Sequence, residues 1–197
     1  IGTSTSVDTN YGVAIQHSNV TGNSGIGIGR TSRCEASQCT AVGYDADALG
    51  TASSAYGRYS QATASYSTAI GFSTEATSGS ATAVGYNATA SGSSSSAFGS
   101  GATASGDNSS AFGQSTLASH QYSTAIGYAA STDKTNQIVL GISSDEVTIK
   151  GFGVVDQDLS VGADFNVTSG TSTLSTVDIN AGAIDGTAIG ANSASTG

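Results

Sequence analysis

The 197-residue sequence has no proline, methionine or tryptophan, and it contains only two cysteines and five basic residues. Its 14 acidic residues give a formal net charge of -9. Binding to nucleic acid or to an anionic membrane through a basic patch is therefore excluded, because such binding needs clustered lysine and arginine. No apolar run approaches the length of a membrane span, and neither a signal sequence nor an initiator methionine is present. We expect an internal piece of a longer protein.

In place of these residues the sequence has 27 glycines, nine of which recur every 14 residues. These repeat glycines are Gly29, Gly43, Gly57, Gly71, Gly85, Gly99, Gly113, Gly127 and Gly141. Each follows a large apolar residue, and together these residues make up the large-residue column: Ile28, Val42, Tyr56, Ile70, Val84, Phe98, Phe112, Ile126 and Leu140. Self-similarity at a fixed period of this kind indicates a solenoid.

Small and large residues alternate within each repeat. Residues 67–71 and 123–127 both read STAIG, and a second half-repeat follows, such as GATASG at residues 101–106. This alternation predicts short strands with one face buried. Two strands of about five residues, separated by tight turns, fill one 14-residue coil. Helix is disfavoured, since serine, threonine and glycine are poor helix formers.

Stacked coils would place the members of the large-residue column above one another at a spacing of about 4.8 Å, in a rod on the order of 40 Å long. We expect substitution of a repeat glycine to be damaging, because a Cβ opposes both a positive φ and a close approach of two backbones. With about one large apolar residue in each repeat, a single chain buries too little for a thick core. The sequence therefore predicts an oligomer.

Cys34 and Cys39 have a spacing that differs from the CxxC of redox and zinc sites. In the 14-residue frame Cys34 stands where other repeats have alanine, and Cys39 where most have serine. We expect both cysteines to act as small packed side chains. The alternative is a disulfide between them, and the redox compartment stays open.

The repeats divide the chain into three predicted parts: an irregular entry coil at residues 1–24, the array at residues 25–141, and a β-rich fibre neck or linker at residues 142–197. In the entry coil Gln16 stands where a glycine would, 13 residues before Gly29. That spacing indicates a register slip of one residue.

The periodic glycines stop after Gly141. Short strand candidates follow, with Asp and Gly between them. They lie at residues 146–150, 159–161, 165–167 and 177–179.

The repeats between residues 23 and 141 resemble the head repeats of YadA-like trimeric autotransporter adhesins, whose units alternate Ser-x-Ala-Ile-Gly with Ala-x-Ala-x-Gly. The resemblance implies an all-β fold, a left-handed parallel β-roll or solenoid with 14-residue repeats, assembled as a homotrimer. It also implies that the large-residue column forms the structural core around a common axis of three chains. Residues just after the repeat glycines are expected nearer the surface or a chain boundary; they include Arg30, Tyr44, Arg58, Phe72, Tyr86 and Tyr128.

Residues 142–197 resemble linking segments in the tail fibres of phages, especially marine ones. They lack the heptads of a coiled-coil stalk and the neck that usually follows an autotransporter head. This resemblance implies a fibre segment in a virion.

Residues that could carry chemistry are few. The glycines at residues 25–29 lack the Lys-Ser/Thr of a phosphate loop. His17 and His120 are isolated in sequence, which favours surface histidines over catalytic ones.

Three carboxylate pairs could serve glycoside chemistry or calcium binding, although solvated Asp is ordinary in turns. They are Asp45 with Asp47, Asp145 with Glu146, and Asp156 with Asp158. Exposed Tyr and Phe after the repeat glycines are the best candidates for recognising sugars or proteins, but the preferred expectation is that they pack over neighbouring coils or chains.

The sequence thus predicts a structural and adhesive trimeric fibre with no catalytic residue, no metal site and no cofactor. Its expected partners are two further copies of itself, other fibre or virion proteins, and a bacterial surface receptor that is a glycan or a protein. Nucleic acid and membrane insertion are not expected. The predicted location is the virion, in a tail fibre; the alternative is the bacterial cell surface, as an autotransporter head that binds host or matrix surfaces.

Overall fold

The computed structural model describes residues 6–8 and 10–147. They belong to the first of the two units into which the chain divides, residues 1–149 and 150–197. The described part is a parallel β-solenoid of two sheets, in which each coil contributes one strand to each sheet. The predicted all-β solenoid is therefore confirmed. The predicted fibre segment, apart from residues 142–147, lies outside the described residues.

One sheet has ten strands of three residues each, and each strand from β4 onward ends on a member of the large-residue column. Numbered along the chain, its strands are β2 (Val13–Ile15), β4 (Ile26–Ile28), β6 (Thr40–Val42), β8 (Ser54–Tyr56), β10 (Thr68–Ile70), β12 (Thr82–Val84), β14 (Ser96–Phe98), β16 (Ser110–Phe112), β18 (Thr124–Ile126) and β19 (Ile138–Leu140). Ile70 aligns with Val84, and Phe98 with Phe112, so the pairing follows the 14-residue period.

The other sheet has nine strands of two residues each. They are β1 (Ser6–Val7), β3 (Asn19–Val20), β5 (Arg33–Cys34), β7 (Asp47–Ala48), β9 (Gln61–Ala62), β11 (Glu75–Ala76), β13 (Thr89–Ala90), β15 (Thr103–Ala104) and β17 (Leu117–Ala118). All of these strands also pair in parallel; the step from β3 to β5, for example, aligns Cys34 with Val20.

The first step of the solenoid is 13 residues, since Val13 aligns with Ile26. The spacing from Gln16 to Gly29 predicts this slip.

The strands are shorter than the five or so residues expected, because the corners take up more of each coil. Most coils turn at two non-glycine residues in the left-handed region; in one coil these are Asp45, at φ 55°, and Ala52, at φ 54°. Such residues end regular strand pairing.

The interior of the solenoid is filled by small side chains. The middle residue of most three-residue strands, such as Ala69, and the second residue of most two-residue strands, such as Ala76, are fully buried alanines. Buried serines such as Ser67 occupy a further row. Two thin sheets can approach this closely only when no large side chain stands between them.

The repeat glycines take φ values from 112° to 145°, except Gly141 at 72°. At Gly71, for example, an added Cβ would overlap the carbonyl oxygen of Gly85 in the next coil. Both reasons expected from the sequence, the positive φ and the close approach of backbones, therefore apply at the repeat glycines from Gly29 to Gly127, whereas an added Cβ on Gly141 would meet the side chain of Asp145.

The expectation for the cysteines is wrong in one respect. Cys34 and Cys39 are fully buried in the alanine and serine rows, as expected, but they form a disulfide with a Cα–Cα distance of 5.5 Å. The coil brings the two positions to opposite sides of the same narrow interior, and this places both Cα atoms within the usual range for a disulfide.

Candidate functional site

The large-residue column lies on the outer face of the ten-stranded sheet, which we call the apolar face. In most strands of this sheet the middle residue is a buried alanine that points inward, so the residues on either side of it point outward. Six of the nine column residues are between 36% and 48% exposed: Tyr56, Ile70, Phe98, Phe112, Ile126 and Leu140. Ile28, Val42 and Val84 are partly buried. The single chain thus leaves the column at its surface, and its burial among three chains stays a prediction.

Column residues pack along the solenoid axis. Phe98 and Phe112 stack with their ring centroids 5.2 Å apart and their planes 10° from parallel. At the ends of the solenoid the other outward row of this sheet is also apolar, with exposed Val13, Ile26 and Ile138. The apolar face therefore runs the full length of the ten-stranded sheet.

A second surface lies just past the glycine turn, where the ten-stranded sheet ends. Five consecutive coils carry an arginine or an aromatic residue at the position after the repeat glycine, and Tyr59 joins them from the next position. We call this set the Arg–aromatic ladder: Arg30, Tyr44, Arg58, Tyr59, Phe72 and Tyr86. We call the ladder residue directly after each repeat glycine a rung. The backbone holds the rungs of successive coils in line, because the residue that follows a rung donates its N–H to the carbonyl of the rung one coil earlier. Tyr59, which follows Arg58, donates in this way to the Tyr44 carbonyl at 3.0 Å.

The rings of the ladder contact one another from coil to coil. Tyr59 lies edge-on between Tyr44 and Phe72, with centroid distances of 5.6 Å and 5.8 Å. Phe72 stacks on Tyr86 at 5.4 Å. These are favourable geometries for aromatic pairs. The preferred expectation that these aromatics pack over neighbouring coils is confirmed for this part of the chain.

Arg58 is the centre of the ladder. Its guanidinium carbon lies 4.6 Å from the centroid of Tyr59 and 5.4 Å from that of Tyr44, and Nη2 donates a hydrogen bond to Tyr59 Oη at 2.9 Å. The guanidinium carbon of Arg30 also lies over Tyr44, 5.7 Å from the centroid of its ring. No described carboxylate lies within ion-pair distance of Arg30 or Arg58.

Arg33 differs from these two arginines because it is paired. Arg33, which is on β5, donates two hydrogen bonds to Asp47 on β7. This hydrogen bonding raises the pKa of Arg33 above its ordinary value, and the negative charges of Asp47 and Glu35 add to the effect. Asp47 is only 7% exposed. The pair Asp45 with Asp47, considered above for calcium or catalysis, is therefore divided between a turn and an ion pair.

The remaining candidates for chemistry do not converge. The Nδ1 atom of His120 lies 3.0 Å from the hydroxyl of the adjacent Ser119. Asp145 accepts a hydrogen bond from the backbone of Ile142 in the turn after the last strand. Among residues 6–8 and 10–147, no three His, Cys, Asp or Glu side chains are grouped so that they could hold a metal. Asp156 and Asp158 lie outside this part of the chain.

The sequence profile of the YadA head domain repeat, which spans two copies, matches residues 48–74, 76–102 and 104–130. Residues 48–130 of the array are thus similar to YadA head domain repeats. The fold agrees: the collagen-binding domain of the Yersinia adhesin YadA, a crystal structure, matches with a TM-score of 0.52 and 26% identity over 77% of this chain and 80% of that domain. A comparison with curated proteins gave no match.

The YadA head repeat is the unit of a structural adhesin fold. An adhesin needs exposed contact surfaces, and the apolar face and the Arg–aromatic ladder are two such surfaces. Within the described ranges there is no helix with the length and apolar character that a membrane crossing requires. Sequence reasoning identified the apolar column and the exposed aromatics. It missed Tyr59 and the pairing of Arg33, because each depends on which side chains of adjacent coils meet.

Proposed function

We propose that this chain is a segment of a homotrimeric adhesive fibre, belonging to a phage tail fibre or related virion appendage that attaches to a bacterial surface. The observation that supports assembly into a trimer is the exposed apolar face. Its large side chains are half exposed while the interior behind them is already filled by alanine and serine. A continuous apolar surface of this length is typical of an assembly interface.

Three is the number of chains implied by the resemblance to YadA-like heads. The large-residue column would form the shared core, with the repeat glycines setting the coil spacing. Light scattering of the folded protein tests this directly: a mass of three chains is expected, and a monomer mass would overturn the shared core. Three copies also raise avidity when each receptor contact is weak.

The virion assignment is supported by the resemblance of residues 142–197 to phage tail-fibre segments. Mass spectrometry of purified virions, together with the coding sequence on either side of this chain, tests it. Peptides of the chain in particles, with other fibre modules or a chaperone domain encoded next to it, are expected. Recovery of the native chain from a bacterial outer membrane, with a C-terminal barrel anchor, would overturn it.

The second candidate is the head of a bacterial trimeric autotransporter adhesin at the cell surface, binding host or matrix surfaces. Two observations favour it: the match to the Yersinia adhesin domain and the disulfide between Cys34 and Cys39. Disulfides form in oxidising compartments, and an exported protein passes through one. Free-thiol labelling of the chain in its natural source would contradict this support if both cysteines were reduced.

We propose no enzymatic activity and no cofactor for this segment. Among the described residues no three His, Cys, Asp or Glu side chains are grouped so that they could hold a metal, and the matched family model is that of a structural head repeat. Incubation of the purified trimer with bacterial surface polysaccharide tests this proposal. Chain cleavage that a carboxylate substitution abolishes would establish an enzyme.

A further inference from the structure

We infer that the Arg–aromatic ladder binds a carboxylated polysaccharide that carries about one carboxylate per disaccharide. This inference names the receptor chemistry for the adhesive function proposed above, and it rests on that function. It does not depend on whether the fibre belongs to a virion or to a cell surface.

The first argument is the uncompensated charge of the ladder. All three arginines of the chain lie between residues 30 and 58, in a protein whose formal net charge is -9. Arg33 is neutralised by Asp47, whereas no described carboxylate pairs with Arg30 or Arg58. Stacking on rings fixes the guanidinium of Arg58 while leaving N–H donors at its edge. A carboxylate is one of the groups that such a fork binds through two parallel hydrogen bonds.

The second argument is the chemistry of the rings. Tyr44, Phe72 and Tyr86 are each at least 39% exposed although they contact neighbours within the ladder. The faces of pyranose rings present C–H groups with a partial positive charge, which complement the negative face of an aromatic ring. Aromatic rungs beside an arginine therefore suit an acidic sugar better than they suit an isolated anion.

The third argument is spacing. The rungs repeat once per coil, so the backbones of Arg30 and Arg58, two coils apart, are separated by about 9.5 Å along the axis. This is close to the length of one extended disaccharide. A linear polysaccharide lying along the solenoid would thus bring one carboxylate to each arginine, and the sugars between them would pass the part of Tyr44 that the two arginines leave exposed. The net negative charge of the chain disfavours densely charged polymers such as nucleic acid.

The ladder is separate from the apolar face. Its residues stand just past the glycine turn, whereas the outward residues of the apolar face are the first and third of each three-residue strand. Burial of two unpaired guanidinium groups per chain in an apolar contact would also be costly. A trimer formed through the apolar face therefore leaves the ladder at the rim.

Binding of the complete 197-residue protein to immobilised hyaluronan, which has one carboxylate per disaccharide, tests the inference. Uncharged dextran and dextran sulfate serve as comparison polymers. We expect binding to hyaluronan that exceeds binding to both. Equal binding to dextran would overturn the role of the carboxylate, and tighter binding to dextran sulfate would overturn the preference for a sparsely charged chain.

Variants locate the site. Arg58→Gln and Phe72→Ser should each weaken hyaluronan binding by about tenfold, as the loss of one charge-assisted or stacking contact implies. Tyr128→Ser is the matched control, because Tyr128 occupies the same repeat position beyond the ladder and is 62% exposed. Unchanged binding in Arg58→Gln, or an equal loss in Tyr128→Ser, would overturn the assignment.

Mass and melting of each variant separate this inference from the proposed function. A trimer that binds none of the polymers contradicts the ladder's role and leaves the trimeric fibre in place. A monomer contradicts the fibre itself.

Discussion

Arg33 and Asp47, which lie 14 residues apart, form a two-pronged ion pair between adjacent coils. Arg33 Nε donates to Asp47 Oδ1 at 2.7 Å, and Nη2 donates to Oδ2 at 2.5 Å. The two residues are aligned partners in the nine-stranded sheet. This ion pair therefore reinforces a backbone pairing that already exists, on the side of the solenoid away from the apolar face.

Asp47→Ala should reduce the free energy of unfolding by about 1–2 kcal/mol, because it leaves Arg33 without its hydrogen-bonded partner. Because the pKa of Arg33 is raised in the folded protein, the stability that its positive charge contributes is fully present at every pH below the ordinary pKa of arginine. It is lost only when the pH rises through the raised pKa. Chemical denaturation at neutral and mildly alkaline pH should give the same difference. Glu75→Ala, in the same outward row, is the control, and an equal loss there would contradict the importance of the pair.

Ile70→Asp should prevent assembly, because a trimer formed through the apolar face would bury three like charges together. Phe98→Asp should have the same effect. The measurement is the mass in solution by light scattering. Gln61→Asp, on the exposed outer side of the nine-stranded sheet, should leave the mass unchanged. If Ile70→Asp kept the mass and melting temperature of the original protein, the proposed interface would be wrong.

Gly71→Ala should destabilise the protein by at least about 2 kcal/mol per chain. The residue has a φ of 133°, and the added Cβ would overlap the carbonyl of Gly85. Gly79→Ala is a sharp control, since no atom lies within 4 Å of the position of its Cβ. Thermal melting should separate the two variants. Similar melting temperatures would show that the spacing of coils tolerates a side chain.

Ser95→Ala should stabilise the protein by about 1 kcal/mol, because the Ser95 hydroxyl is buried without a hydrogen-bond partner. Ala81 occupies the same row one coil earlier, so the methyl group fits. Ser67→Ala tests the reason, since the Ser67 hydroxyl donates to the Ala64 carbonyl at 2.6 Å. That variant should lose stability or gain none. A gain of equal size in both would exclude the missing hydrogen bond as the cause.

The double variant Cys34→Ala with Cys39→Ser, which restores the residues of other coils, should cost about 2 kcal/mol, the chain entropy released by a loop this short. Denaturation of the original protein with and without reductant provides the comparison. If reductant and the double substitution both left stability unchanged, the disulfide would have no structural role.

The pairing register could be predicted from the sequence because it depends on one number. A period of 14 residues places Ile70 on Val84 whatever the shape of the corner, and the structure has that alignment. The slip at Gln16 was predictable for the same reason. Strand length was not, since it depends on which corner residues adopt left-handed backbone angles, and residues as different as Asp45 and Ala52 do so.

Contacts between side chains of adjacent coils could be predicted from the sequence only in part. The sequence identified Tyr44, Phe72 and Tyr86 through their shared repeat position. Tyr59 has another repeat position and joins them because its ring reaches across the corner to both Tyr44 and Phe72. The disulfide was only the alternative expectation for a similar reason: Cys34 and Cys39 fit the alanine and serine rows, and only the closed coil brings their sulfur atoms together.

The backbone hydrogen bonds between coils, such as that from Gly85 N–H to the Ile70 carbonyl at 2.9 Å, run along the solenoid. A fibre under tension is pulled in this direction, so each step between coils carries the whole load in series with the others. Within one polypeptide the weakest set of hydrogen bonds between two coils would then break first. In the proposed trimer, interdigitation of the large side chains with those of companion chains would add contacts that are loaded in parallel. The apolar face would thus set the force that the rod withstands.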